Sequence, residues 1–145
     1  MTIEAISSDN VRQLTELVLA LWEDCSFDEE LKGYTSMINA ESEICYLMRQ
    51  QDQYVAFIHI STRTDYVEGA KEPRTAYMEG LYVKPTFRKQ GIASELTKAA
   101  CDWARKKGFK QIASDTHLNN SASIDFHKQT GFKEVERIVC FIKDL

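Results

Sequence analysis

Paired cysteines and long apolar runs are both missing from this sequence. The four cysteines are scattered and have no spacing typical of a zinc site or a disulfide framework, so we expect reduced thiols and no metal. No apolar stretch approaches the ~18 residues that a membrane-spanning helix needs. Glu4 and Asp9 stand where a signal peptide requires a basic start. We therefore expect a cytoplasmic protein without a membrane partner.

Positive charge is also in deficit. There are 18 Lys and Arg residues against 22 Asp and Glu residues, a net charge of −4, which disfavours a nucleic-acid partner and mildly favours a cationic one. The length of 145 residues with 43% hydrophobic composition suits one compact core and is too short for two ordinary ones. We expect a single domain over residues 1–145.

The hydrophobic periodicity predicts a mixed α/β domain with the element order β, α, α, β, β, β, α, β, α, β. A strand–helix–strand unit in the later half requires a right-handed parallel crossover. The predicted strands cover residues 3–6, 44–49, 54–64, 76–83, 110–115 and 135–142, and the predicted helices cover about 11–22, 27–38, 92–107 and 121–130.

A basic turn, Lys84-Pro85-Thr86-Phe87-Arg88-Lys89-Gln90, leads from the strand that ends at Val83 into a helix. The start of a helix presents unpaired N–H groups and about half a positive charge, so it attracts anions. Gly91 and Ala93 are small enough for a pyrophosphate to approach the backbone. The turn alone fits a basic surface loop without a ligand equally well.

The wider pattern resembles the GNAT acyltransferase superfamily. The motifs are Leu81-Tyr82-Val83-x-Pro85, Arg88-x-x-Gly91-x-Ala93, and then Asn120, His127 and Gly131-Phe132. The resemblance implies a GNAT-type mixed, centrally splayed β-sheet flanked by helices, with acetyl-CoA as the cosubstrate. It covers roughly residues 76–142, and the first half fits the expected order of elements.

The same resemblance implies roles for individual residues. Backbone groups of Leu81, Tyr82 and Val83 would pair with the pantetheine arm, and the Val83 N–H would stabilise the oxyanion. Many relatives have a Tyr that protonates the departing thiolate where this chain has His127, so the imidazole either takes this role or is structural. The remaining implied cofactor contacts are Arg88, Lys89, Gln90, Gly91, Ile92, Ala93, Ser94 and Asn120.

Three carboxylates, Glu79, Asp115 and Glu136, fall on three predicted strands of the later half. If these strands are neighbours, the carboxylates converge on a cleft suited to a polycationic amine. A charge inside an apolar strand is costly unless paired, which favours a function for Glu79. Asp115 could instead form a turn, and Glu136 could be a plain surface charge. Trp22 and Tyr66 could cover a sugar ring or a cation, although Trp22 also fits the apolar face of its helix.

A closer resemblance is to the aminoglycoside 6′-N-acetyltransferases, which are antibiotic-resistance enzymes. Its motifs are Tyr77-Met78-Glu79-Gly80-Leu81-Tyr82-Val83-x-Pro85, Ala113-Ser114-Asp115-Thr116 and Gly131-Phe132-x-Glu134-x-Glu136-Arg137. In that family the positions matching Trp22, Tyr66, Glu79, Asp115 and Glu136 contact the aminoglycoside.

This resemblance implies direct acetyl transfer in a ternary complex. We expect Glu79 to accept the amine proton, directly or through water, and Asp115 to orient the ammonium groups of the sugar. No cysteine has a setting typical of a nucleophile, so an acetyl-enzyme is not expected. Relatives are commonly homodimers, and the last predicted strand, with its exposed pairing edge, is a candidate for exchange between chains.

Two alternatives remain open. The first is an acetyltransferase for a polyamine, a small amine or a protein N-terminus, with the same cofactor segment and another acceptor. The second is a module that binds acetyl-CoA without catalysis, against which the three retained carboxylates argue.

Overall fold

The computed structural model describes all 145 residues and is built on a five-stranded sheet in the order β1-β2-β3-β4-β5. Strands β1 to β4 are antiparallel neighbours, and β5 runs parallel to β4. None of the helices has the length and apolarity needed to cross a membrane. The elements are β1 (Thr2–Ala5), α1 (Val11–Leu21), α2 (Phe27–Met37), β2 (Ile44–Gln50), β3 (Gln53–Arg63), β4 (Thr75–Val83), a 3₁₀ turn (Pro85–Phe87), α3 (Ile92–Lys106), β5 (Ile112–Ala113) and α4 (Ser121–Gln129).

Two hydrophobic cores cover the two faces of this sheet. Leu14 and Val18 of α1 pack with Phe57 of β3 in one core, and Leu96 of α3 packs with Ile58 in the other. Phe57 and Ile58 are adjacent in β3 and fully buried, because successive side chains of a strand point to opposite faces. The sheet is therefore a middle layer between α1–α2 and α3, as the predicted mixed α/β arrangement requires.

The polar segment Gln50-Gln51-Asp52-Gln53 joins β2 and β3 in a hairpin with a two-residue turn. Gln50 pairs with Gln53, and the two residues between them, Gln51 and Asp52, both have positive φ. Two left-handed residues match the twist of the flanking strands and fix their register. This register determines which residues of β3 face α1 and α2.

A β-bulge in β4 aims Glu79 at the α1–α2 side of the sheet. His59 of β3 pairs with Gly80, and the next residue, Ile60, pairs with Met78, so Glu79 has no residue opposite it. An extra residue of this kind redirects side chains and bends the strand. Glu79 lies in a cavity together with Trp22 at the end of α1.

The splay predicted for the centre of the sheet is present between β4 and β5. Their pairing is limited to Ala76 with Ile112 and Tyr77 with Ala113. From Met78 to Val83, β4 has no neighbour on this side. A groove with a free backbone edge therefore opens toward the start of α3.

The strand predicted over residues 135–142 is wrong for the isolated chain. Residues 132–145 contain no strand, and Val139, Phe141 and Ile142 are 77%, 90% and 96% exposed. The strand predicted over residues 110–115 is reduced to Ile112–Ala113. Alternating apolar residues show that a segment can pair, but a strand also needs a free edge within its reach, and this chain does not bring the segment to one.

Candidate active site

The segment that joins β4 to α3 forms a turn with two left-handed residues. Lys89 has φ 61° and Gly91 has φ 81°. Glycine adopts this conformation freely, whereas it costs a lysine roughly 1 kcal/mol. Such turns direct successive backbone N–H groups into one concave surface, which suits an anion. The phosphate-binding loop predicted from Arg88 to Ala93 therefore has a suitable backbone.

No side chain caps the start of α3. Gly91 is the N-cap residue, and the first helical amide to form a bond is that of Glu95, to the Gly91 carbonyl oxygen. The amides of residues 92–94 precede this bond and have no partner within the helix. Three free donors at the positive end of a helix dipole fit the negative oxygens of a pyrophosphate.

Arg88 connects this turn to the end of β4. Its Nε donates to the Val83 carbonyl oxygen at 2.9 Å, and its guanidinium lies 5.9 Å from the centre of the Tyr82 ring. The Arg88 side chain thus fixes the backbone at Val83, while the rest of its guanidinium keeps donors available for a phosphate.

Glu79 is held by three hydrogen bonds. Arg63 donates from Nε at 2.9 Å and from Nη2 at 2.8 Å, and the Ser61 hydroxyl donates at 2.6 Å. Burial by itself raises the pKa of Glu79, but the hydrogen bonds from Arg63 and Ser61 outweigh it and lower the pKa below its usual range. The carboxylate is therefore ionised and fixed in position at neutral pH.

Asp115 is linked to Glu79 through two side chains that lie between them. The Tyr77 hydroxyl donates to the Asp115 carboxylate, and the Arg63 guanidinium lies 3.4 Å from the centre of the Tyr77 ring. Burial and the hydrogen bond to Asp115 raise the pKa of Tyr77, so the phenol keeps its proton. A single network, Asp115–Tyr77–Arg63–Glu79, thus spans the sheet beside the groove.

The aromatic ring of Trp22 lies directly over β4 and is 37% exposed. A Cβ atom placed on Gly80 would approach Trp22 Cη2 to 2.6 Å, so only glycine fits under the ring. Trp22 also packs edge-on against Phe57, with ring centroids 6.4 Å apart. The Trp22 side chain therefore packs against the core and also lines the cavity, the two roles that the sequence allowed.

The predicted acceptor residues divide between two cavities that share no lining residue. Trp22 and Glu79 line the first, of about 500 Å³, and Asp115 and Glu136 line the second, of about 240 Å³. Tyr66 is 83% exposed and lies in the loop between β3 and β4. Only Glu79 lies on a strand, because β5 ends before Asp115 and the segment around Glu136 is not a strand.

His127 uses both of its ring nitrogens within the protein. Nδ1 lies 2.6 Å from the Ser123 carbonyl oxygen, which can only accept, so Nδ1 carries the proton. Nε2, 2.8 Å from Ser114 Oγ, then accepts from that hydroxyl. These bonds tie α4 to the end of β5 and favour the structural alternative for His127.

Asn120 is the N-cap of α4. Its side-chain oxygen accepts from the Ser123 amide at 3.1 Å, which leaves the side-chain NH₂ free to donate to a ligand. No group of three or more His, Cys, Asp or Glu side chains is placed to hold a metal ion.

Several residues of this site could not be identified from sequence spacing alone. Ser61 and Arg63 reach Glu79 because of the register between β3 and β4. Tyr77 reaches Asp115 because β4 pairs with β5 at Ala113. The alternation of the polar residues Ser61 and Arg63 at the end of an apolar strand was the available hint. His59 and Glu43, in the first cavity, were also missed.

A splayed sheet whose opening faces an uncapped, basic helix start is the arrangement of a CoA-dependent acyltransferase. The profile of the acetyltransferase (GNAT) family matches residues 8–132. The chain belongs to this family.

Named relatives extend over nearly the whole chain. The aminoglycoside N(6′)-acetyltransferase type 1 of Serratia marcescens is 32% identical over 138 residues, which is 94% of each chain. Among solved structures, the aminoglycoside 6′-N-acetyltransferase of Acinetobacter haemolyticus is 30% identical with a TM-score of 0.90, covering 100% of this chain and 99% of that one. The structure of AAC(6′)-Iy with the bisubstrate analogue CoA-S-monomethyl-acetylneamine gives a TM-score of 0.94 at 28% identity, covering 99% and 98%.

Proposed function

We propose that this protein transfers the acetyl group of acetyl-CoA directly to the 6′-amino group of an aminoglycoside. The observation that carries the proposal is the position of Glu79. The bulge aims this carboxylate into an acidic cavity. Glu79 stands two residues before Leu81, where the free edge of β4 would begin to bind the donor. The solved relative that binds a CoA–aminoglycoside bisubstrate analogue supports the pairing of this donor with this acceptor.

The donor half of the site is formed by the free edge of β4 and the start of α3. Acetyl-CoA supplies the activated acetyl group. The backbone of Leu81 to Val83 has no strand beside it on the β5 side and can pair there with the pantetheine amides. The turn from Arg88 through Gly91 and the amides of residues 92–94 would hold the pyrophosphate. The Val83 N–H would stabilise the oxyanion, and loss of one such donor typically costs ~10²–10³ in rate.

The acceptor half is rich in carboxylates. Glu30, Glu43, Asp65 and Glu79 line the first cavity, and Arg63 is the one Lys or Arg among its lining residues. A polycationic amine is attracted to such a surface and gains affinity from it. Trp22 lies beside these acids and would cover a sugar ring or an ammonium group. The second cavity would place Asp115 and Glu136 against other amines of the same substrate.

The ammonium group must lose a proton before it can attack. Glu79 would accept this proton, directly or through water, because its carboxylate is fixed and ionised. Its lowered pKa limits its strength as a base, so precise positioning would carry most of its effect. Since both His127 nitrogens are occupied, we propose that the departing thiolate takes its proton from solvent.

We also propose that the protein is a homodimer formed by exchange of the C-terminal segment. β5 pairs with β4 on one side only, and the exposed residues Val139, Phe141 and Ile142 belong to an extended tail. Insertion of that tail beside β5 of a second copy would bury apolar surface and close an edge at once.

The cytoplasm, which supplies acetyl-CoA and keeps the four free cysteines reduced, is the proposed location, and aminoglycoside resistance is the proposed consequence.

Release of the CoA thiol tests this function. Purified protein with acetyl-CoA is expected to turn over kanamycin or tobramycin with far higher kcat/KM than spermidine or a peptide with a free N-terminus. Preference for spermidine or the peptide would assign another acceptor. Tight acetyl-CoA binding with no turnover of any amine would indicate a binding module.

A further inference from the structure

A largely buried histidine, His59, lies in the first cavity and has no role in the reaction described above. It stands on β3 opposite Gly80, so its side chain faces the same side of the sheet as Trp22. The side chain is 13% exposed and lines the cavity together with Glu43 and Glu79. His59 therefore forms part of the wall of the cavity in which an acceptor would bind.

The hydrogen bonding of His59 is incomplete. Nδ1 lies 3.4 Å from the Tyr34 hydroxyl, and the two rings meet edge to face with centroids 5.5 Å apart. Nε2 is buried and has no hydrogen-bond partner. The nearest acidic group to Nε2 is Glu43, whose Oε1 is 3.8 Å away and whose side chain is 35% exposed. A buried nitrogen with an acid just beyond hydrogen-bond distance is placed to gain an ion pair when it is protonated.

The titratable groups around His59 come from every element packed against it, and half of them are carboxylates. The Tyr34 and Cys45 side chains stay neutral because burial raises the pKa of each. Arg63 is paired with Glu79 and leaves the other acids uncompensated. The titratable groups are Glu30 and Tyr34 of α2, Glu43 and Cys45 at the start of β2, Arg63 of β3 and Glu79 of β4.

We propose that His59 makes acceptor binding depend on pH, because its proton and the ammonium groups of the substrate compete for the carboxylate of Glu43. This inference rests on the proposed function, in which the cavity takes a polycationic amine. With neutral His59 the Glu43 carboxylate is available to the substrate, while Glu79 stays paired with Arg63. With protonated His59, a buried positive charge lies next to Glu43 and repels the substrate.

The direction of the effect follows from the environment of the imidazole. Burial lowers the pKa of His59, while Glu43 and Glu79 raise it and offset only part of the shift. His59 is therefore neutral at pH 7 and becomes charged as the pH falls through its lowered pKa. A bound polycation lowers that pKa further, because protons and cations are linked through the same acids. Acceptor binding thus weakens in acid, and acetyl-CoA binding does not depend on this group.

Steady-state kinetics of the full-length protein test the proposal. The KM for tobramycin is expected to rise about tenfold per pH unit below the pKa of His59 in the wild type, and to change by less than about twofold from pH 7.5 to 5.5 in His59→Gln. Protonation of the substrate amine affects both proteins equally, so the difference between them isolates His59. The KM for acetyl-CoA is expected to be the same in both.

The control is His117→Gln, since His117 is an exposed histidine outside both cavities. This variant is expected to keep the pH dependence of the wild type. An equal pH dependence of the tobramycin KM in wild type and His59→Gln would overturn the proposal. Turnover with a pH-independent KM overturns this inference alone, whereas absence of turnover with every aminoglycoside overturns the proposed function as well.

NMR provides a readout that does not depend on turnover. The ring resonances of His59 can be assigned by their absence in His59→Gln or His59→Asn and titrated with and without saturating tobramycin. Tobramycin is expected to lower the pKa of His59 and to leave the ring resonances of His117 in place. A His59 pKa that does not move when tobramycin binds would show that the proton and the polycation do not compete.

Discussion

Gly80 matters at the residue scale because of the space above it. The Trp22 ring occupies the position that any side chain at residue 80 would need. Trp22 and the carboxylate of Glu79 line the same cavity, so the glycine allows an aromatic wall to stand beside the acid. The proposed acceptor site depends on this close approach of the Trp22 ring to the backbone of β4.

Gly80→Ala is therefore expected to displace Trp22 and weaken acceptor binding. The KM for tobramycin should rise roughly three- to thirtyfold, in line with the ~0.5–2 kcal/mol typical of a cation beside an aromatic face. The KM for acetyl-CoA should not change. Gly33→Ala in α2 is the matched control, because no atom lies within 4 Å of a Cβ there. If the KM for tobramycin is the same in Gly80→Ala and wild type, Trp22 does not take part in acceptor binding.

Glu79 is the residue on which the proposed proton transfer depends. Glu79→Gln is expected to lower kcat about a hundredfold or more, the usual contribution of a positioned acid–base group. It should leave the KM for acetyl-CoA unchanged. Glu72→Gln, in the exposed loop before β4, is the control carboxylate. Steady-state rates that are the same in Glu79→Gln and wild type would show that the base assignment is wrong.

At the scale of elements, the turn from β4 into α3 would determine donor binding. Arg88 braces Val83 and adds positive charge at the start of α3. Arg88→Gln is expected to raise the KM for acetyl-CoA about tenfold, as for the loss of one charge-assisted hydrogen bond of ~1.5 kcal/mol. The tobramycin KM should stay the same, and the salt dependence of donor binding should decrease.

Lys98→Gln provides the comparison for Arg88→Gln, since Lys98 is an exposed cation on the same helix but beyond its first turn. An equal rise of the acetyl-CoA KM in both variants would mean that general positive charge, and not the turn at Arg88, attracts the donor.

Most of the elements could be predicted from sequence because their signals are local. The helix that follows Gly91 is an example. The ion pair of Arg63 with Glu79 could not be predicted, because it results from strand register and a bulge, which no single segment encodes. The splay of the sheet followed from the family resemblance alone.

At the scale of the whole molecule, the C-terminal strand shows where periodicity is insufficient. The alternation of Val135 to Ile142 predicts a strand, but its pairing partner is not in the same chain. Its exposed apolar residues explain this failure if the strand forms only between two copies. The proposed dimer and the wrong strand prediction thus have one physical origin.

Sedimentation at micromolar concentration should therefore show a dimer. Phe141→Asp is expected to shift the protein toward monomer, because a charge replaces a large apolar side chain that exchange would bury. Lys143→Gln, in the same tail, should remain dimeric. A wild-type monomer at these concentrations would contradict strand exchange.

The most direct test of the proposed reaction compares two aminoglycosides that differ only at the reacting position. Neomycin carries an amine at the 6′ carbon, and paromomycin carries a hydroxyl there. Thiol release from acetyl-CoA is expected with neomycin and not with paromomycin, and the product should carry a single acetyl group on the 6′ nitrogen. Equal turnover of the two compounds would show that another amine is acetylated and would contradict the proposed acceptor geometry.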